Sequence, residues 1–142
     1  MLIKNINNIN MNKIINARVD ISLLVTRLIV GAIFILAGWA KVSDMTATLG
    51  FFSSMSIPPV LTYIVSYGEF IGGIMLVLGL YTRYAAAFLS IVMVVAIYLT
   101  LPMGSQVFMT PLATLAGLIA LLGNGAGKFA IKKRSQPVTP KI

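Results

Sequence analysis

Long apolar runs alternate with short polar breaks along this chain, and the lengths of the runs say what they are. Residues 21–40 are twenty in a row with a single charge, Arg27. At 1.5 Å per residue, a helix of that length covers the hydrocarbon layer of a bilayer, about 30 Å. Lys41 and Asp44 close the run, and Ser43 or Asp44 is placed to cap a short helix with Met45, Leu49 and Phe52 along one side. Pro58-Pro59 then breaks the chain. Residues 60–80 are apolar apart from Tyr63, Ser66, Tyr67 and Glu69. Tyr81-Thr82-Arg83 is a tight turn, which makes the second and third runs an antiparallel hairpin. The third run, 84–101, has no charge. Pro102–Met103–Gly104–Ser105 turns the chain into a fourth, 107–122, with Thr110 and Pro111 near its start. A helix beginning only at Thr110 is short for a span, so either it starts obliquely at Ser105 or the bilayer thins locally around it. Gly123, Gly125 and Gly127 end it.

Four spans joined by short connections predict an all-α integral membrane protein, a four-helix up-and-down bundle over residues 21–127. Residues 1–20, rich in Asn and Ile, read as a polar, mobile N-terminal tail, with a helix lying on the membrane surface as the other option. They lack the pattern of a cleaved secretory signal and are expected to be retained. Residues 128–142 carry Lys128, Lys132, Lys133, Arg134 and Lys141 and read as a disordered basic tail along anionic headgroups.

Composition narrows the chemistry. Charged residues are 10% of the 142 positions and hydrophobic ones 58%, against about 25% charged in ordinary soluble domains. The net charge of +8 flanks the apolar runs, so lipid phosphates rather than nucleic acid are the expected partners. With no Cys and no His, disulfides, thiolate metal sites, imidazole ligation and the usual nucleophile pairs are excluded, and no metal site is expected. A redox role would have to rest on a bound organic cofactor, not covalently attached, or on a partner chain. Nine Lys and Arg lie in the N-terminal segment, the second loop and the C-terminal segment, and only Lys41 lies on the other side. By the positive-inside rule both termini are expected in the cytoplasm.

Two helical stripes carry the candidate chemistry. Arg27, Gly31, Phe34, Gly38 and Lys41 recur at three-and-four spacing on one face of the first span. On the second, Gly68, Glu69, Gly72, Gly73, Leu76, Leu80 and Arg83 lead back to the turn. Gly31, Gly38, Gly68, Gly72 and Gly73 are candidate helix-packing glycines. Glu69 lies near the middle of its run, where an ionised acid costs about 2.5 to 3.5 kcal/mol. Either a cation offsets that cost or the group stays protonated. Measured from the inner ends of the two runs, Arg27 stands about 9 Å and Glu69 about 16 Å deep. Arg27 is therefore the preferred partner, since its guanidinium fork suits a carboxylate. Lys41, reaching in from the outer side, is the alternative. An ion pair that only fixes helix register and a proton-responsive pocket for a ligand both remain open. Trp39, Phe51, Phe52 and Tyr63 read as an outer aromatic belt on which a quinone ring is able to stack, and Tyr81 and Tyr84 as an inner one.

These residues, with Gly68-Glu69-Phe70-Ile71-Gly72-Gly73, Gly79-Leu80-Tyr81-Thr82-Arg83 and Ala85-Ala86, resemble the DoxX family of small bacterial membrane proteins over about residues 22–128. The resemblance implies a four-helix protein of the bacterial inner membrane, with the family's signature Arg, Lys and Glu falling on Arg27, Lys41 and Glu69. It also implies, for some relatives, a link to thiosulfate:quinone oxidoreductase or to membrane oxidoreductase complexes. The expectation is a membrane subunit supporting such a complex, with a quinone-accessible site between the first two spans and a redox partner protein. A small proton-coupled transporter, which would need to be a homo-oligomer to enclose a path, and a non-catalytic scaffold are the alternatives. Whether the chain is itself an enzyme is left open by these residues.

Overall fold

The computed structural model describes the backbone of residues 2–125 and 127, with the side chains of Met11 and of residues from 14 onward. The basic segment expected at 128–142 lies outside the described residues. The elements are α1 (Leu2–Ser43), α2 (Met45–Ser54), α3 (Pro59–Leu78), α4 (Thr82–Thr100), a 3-10 turn at Leu101–Met103, and α5 (Ser105–Asn124). Four helical stretches are long and apolar enough to cross a membrane: Ile14–Ser43, Pro59–Leu78, Thr82–Met103 and Ser105–Asn124. The four-helix architecture expected from the apolar runs is the one observed.

Each boundary has a local cause. Asp44 caps α2, its carboxylate accepting from the Ala47 N–H at 3.0 Å. Pro59 begins α3, where its missing N–H and fixed φ suit a first turn. Gly79 ends α3 in the left-handed conformation at φ 72°. There the Leu80 N–H reaches the Met75 carbonyl at 2.9 Å, a closure that an L side chain at that φ would strain. The fourth spanning helix starts at Ser105, so Pro111 falls inside it and removes one backbone donor from its second turn.

The N-terminal segment departs from expectation. In place of a mobile tail before residue 21, α1 runs unbroken back to Leu2. Residues 1–20 contain no Gly or Pro, and the helix is already nucleated by its spanning part. Extending it over Asn and Ile costs only fractions of a kcal/mol per residue. The start of the apolar run therefore does not mark the start of the helix, and that matters for the site.

Phe34 of α1, Leu76 of α3, Leu89 of α4, and Leu118 and Leu121 of α5 are the largest apolar side chains buried at the centre. Outside them the surface is apolar too, with Leu36 and Ile91 among the most exposed residues. In water such a surface would aggregate, whereas in a bilayer it faces acyl chains. The Arg83 guanidinium donates to the Gly123 carbonyl at 3.0 Å, tying the start of α4 to the end of α5. The short helix α2 buries no residue fully and packs on the ends of α1 and α3. Asp44→Ala is expected to loosen α2 alone, by about 1 kcal/mol. Amide exchange in Met45–Ser54 should then rise roughly fivefold while α3 is unchanged; equal protection in both proteins would show that the cap is not what holds this helix.

Candidate functional site

Small residues determine how closely α1 and α3 approach. A methyl group built on Gly38 would lie 2.5 Å from the Phe70 backbone nitrogen, and one on Gly73 would lie 2.7 Å from that of Ile35 and 2.8 Å from the Gly31 carbonyl. One on Gly31 would meet the Val77 side chain at 2.6 Å. Gly31, Gly38 and Gly73 thus let the two backbones touch. Gly68 and Gly72 serve a different neighbour, α4: a methyl group there would meet the Phe88 ring and the Leu89 side chain. Gly117 does the same for α5 against Val30 of α1, a packing glycine that carried no polar neighbour to draw attention to it.

This contact sets the register, and the register chooses the partner of Glu69. With Gly38 against Phe70 and Gly31 against Gly73 and Val77, the antiparallel pair brings Lys41 to Glu69. The ammonium of Lys41 and the carboxylate of Glu69 form an ion pair at 2.5 Å. Glu69 is almost fully enclosed, its side chain 4% exposed, while that of Lys41 keeps 27% of its surface open.

Arg27, the preferred partner from the sequence, is not the cation that meets this carboxylate. Continuing the same register, Arg27 comes opposite the α3–α4 turn near Leu80, eleven residues from Glu69 and so about 16 Å along the helix. The expectation failed because it measured depth from the beginning of the apolar run. Helix α1 extends beyond that point, and the glycine contact slides it along α3. Arg27 is itself buried, 2% exposed, on the face of α1 that also buries Leu23 and Val30.

The structure adds two residues to the site. Thr62 and Ser66 are buried on α3, at 1% and 0% exposure. They stand seven and three positions before Glu69, on the same helix face. The half of that face toward α2 is therefore hydroxyl and carboxylate, and the half toward the α3–α4 turn, Gly72, Gly73 and Leu76, is close-packed. The signal was present in the spacing, but a lone Thr or Ser in an apolar run passes as neutral unless its phase against Glu69 is counted. Trp39 and Phe70, each next to this site in sequence, pack with their rings tilted by 41° and ring centroids 5.9 Å apart. Phe51 and Phe52 pair on α2, and Tyr81 and Tyr84 at the other end. Among the described residues no group of His, Cys, Asp and Glu is placed to hold a metal ion.

Residues 22–102 match the sequence profile of the family described as DoxX, a stretch that contains Arg27, Lys41, Glu69 and the five candidate packing glycines. The chain belongs to the DoxX family. It is also similar to the "Putative oxidoreductase CatD" of Bacillus subtilis (strain 168), 33% identical over 82 residues, which are 58% of this chain and 61% of that protein. The match thus spans less than two thirds of that relative's length. A second DoxX-like relative is the "Inner membrane protein YqjF" of Escherichia coli (strain K12), 28% identical over 119 residues, or 80% of this chain and 92% of that one. No solved structure matches the chain. A DoxX protein with four spanning helices is an integral membrane protein, and α5 lies wholly beyond the family match.

Proposed function

We propose that this DoxX protein is a membrane subunit supporting an oxidoreductase complex in a bacterial inner membrane, and that Lys41 and Glu69 form its polar site toward a quinone headgroup. The observation that carries the reading is an acid 3% exposed within a spanning helix, paired with a Lys that is still partly open. Intramembrane ion pairs of this kind cost insertion energy and concentrate where a ligand or proton is handled. One relative's name, an oxidoreductase, and another's, an inner membrane protein, support the setting. The excess of Lys and Arg near both ends supports cytoplasmic termini, with the Lys41 side of the site toward the opposite face.

The close contact at Gly31, Gly38 and Gly73 leaves no space for a ring between α1 and α3 inward of Glu69. On this reading a headgroup binds instead at the outer mouth, beside Lys41 and against the Trp39–Phe70 pair. A bound quinone would supply the electron-accepting ring. Lys41 would donate a hydrogen bond to its carbonyl, and Glu69 would keep the ammonium in place and hold a proton in turn. A redox protein and anionic lipid headgroups are the partners this reading needs. The alternative of a proton-coupled permease uses the same carboxylate, but the glycine contact closes the α1–α3 interface as a path within one copy, so a homo-oligomer would have to supply it.

The test is saturable binding of a short-chain ubiquinone or menaquinone analogue to protein in nanodiscs, alone and with whatever co-purifies in mild detergent. Lys41→Met should weaken binding about tenfold, the effect of one charged hydrogen bond. No saturable binding in either preparation contradicts the proposal. Glu69→Gln should abolish proton-linked activity while the bundle stays assembled, and full activity with lowered thermal stability would instead mark a packing role.

A further inference from the structure

Several helical hydroxyls in this protein are satisfied by their own helix. Ser22, Ser90, Thr100 and Thr114 each donate to the carbonyl four residues back, at 2.7 to 3.0 Å. Ser66 differs, as does Thr82 at the start of α4. The Ser66 hydroxyl is fully buried and has no hydrogen-bond partner among the described residues, although a buried hydroxyl left so costs on the order of 1 to 3 kcal/mol. It lies one turn from Glu69 on the same face, and Thr62 lies one turn further, with its hydroxyl only 3.4 Å from the Pro58 carbonyl. Pro58 caps the end of α3 where α2 packs and where the helix meets the surface.

We propose that Thr62 and Ser66 form a hydroxyl relay through which Glu69 exchanges protons with water at the α2 end of the bundle. Residues three and four apart on a helix have Cβ atoms about 5 to 6 Å apart, a gap that one water bridges between polar groups. A proton from surface water passes to the oxygen of one hydroxyl as that hydroxyl gives its own proton onward. The hydroxyls end unchanged, and the Glu69 carboxylate becomes a carboxylic acid. Lys41 keeps its ammonium and loses its counter-charge, so its hold on α3 relaxes when the acid is protonated. Of the other charged groups nearby, Asp44, just before α2, is exposed and engaged as a helix cap, and the part of α4 against this face, residues 85–97, contains no titratable side chain. Inward of Glu69 the line ends at Gly72 and Gly73, so the relay opens to one side only.

The inference rests on the proposed function in one respect, that Glu69 is a working proton site, and not on quinone or on a redox partner. It is tested by infrared difference spectroscopy of the full chain in lipid vesicles after a rapid pH jump, with the Glu69 carboxyl band assigned by its loss in Glu69→Gln. Ser66→Ala should slow protonation of Glu69 about tenfold, as expected for one hydrogen bond removed from the limiting step, with the final band amplitude unchanged. Ser66→Thr should restore the rate, and Thr62→Val should slow it. A wild-type rate in Ser66→Ala, a carboxyl band that does not respond to pH, or an equal slowing in Ser90→Ala, whose hydroxyl is already bonded, would each overturn the relay. Quinone binding is read separately, so its absence leaves the relay standing, and a wild-type rate in Ser66→Ala leaves the quinone site standing.

Discussion

Lys41→Met is expected to destabilise the bundle by about 3 kcal/mol, because it leaves a buried carboxylate without its cation. Adding Glu69→Gln should recover most of that loss, since the double variant buries neither charge. The pair should therefore show a coupling energy of about 2 kcal/mol in a thermodynamic cycle. Arg27→Met also removes a buried cation and should be costly in its own right. Combined with Glu69→Gln, however, its effect should add within about 0.5 kcal/mol, as expected for sites well separated along the helix axis. Reversible unfolding in mixed micelles, with the wild type and all five variants compared under one condition, provides the values. Strong coupling of Glu69 to Arg27 and none to Lys41 would mean that the α1–α3 register is wrong.

Gly38→Leu should have an effect of similar size through sterics alone. Its side chain would begin 2.5 Å from the Phe70 nitrogen and 2.7 Å from the Phe70 Cα. These are backbone atoms, so no rotamer change relieves the clash. Helix α1 must move away from α3, which also pulls Lys41 from Glu69. The expected cost is about 3 kcal/mol, at the upper end for overpacking, with a marked loss of folded protein in membranes. Gly50→Ala is the control, since nothing lies within 4 Å of a methyl group there. Being within α2, it should be neutral or stabilising by about 0.5 kcal/mol. Both are read as the yield of monodisperse protein and the thermal midpoint after extraction. A tolerated Gly38→Leu would show that α1 and α3 do not touch by backbone.

The sequence made legible whatever depends on local pattern. Apolar run length identified the spans, Ser43-Asp44 the cap region of α2, and Tyr81-Thr82-Arg83 the tight hairpin. The length a span needs offered Ser105 as the start of α5, with local thinning of the bilayer as the other option. The three-and-four stripe of Gly31 and Gly38 pointed to close helix packing, and that is where α1 and α3 meet. What the sequence did not reveal is relative height. The partner of Glu69 depends on how far α1 slides along α3, which is set by Gly38 seating on Phe70 and Gly73 on Ile35. Run boundaries carry no information about that contact, and the unbroken helix before Ile21 hid the offset. Thr62 and Ser66 were missed for a related reason. Their types are unremarkable in a spanning helix, and only their burial, together with their phase against Glu69, separates them from Tyr63 and Tyr67, which point outward.

The central claim is that the Glu69 carboxylate is held by the Lys41 ammonium inside the bilayer. Solid-state NMR of the isotope-labelled protein in lipid reads it directly, through the dipolar coupling between Lys41 Nζ and Glu69 Cδ. The account predicts a strong cross-peak for this pair, lost in Glu69→Gln. A cross-peak from Glu69 Cδ to the Arg27 guanidinium nitrogens, with none to Lys41, would contradict it.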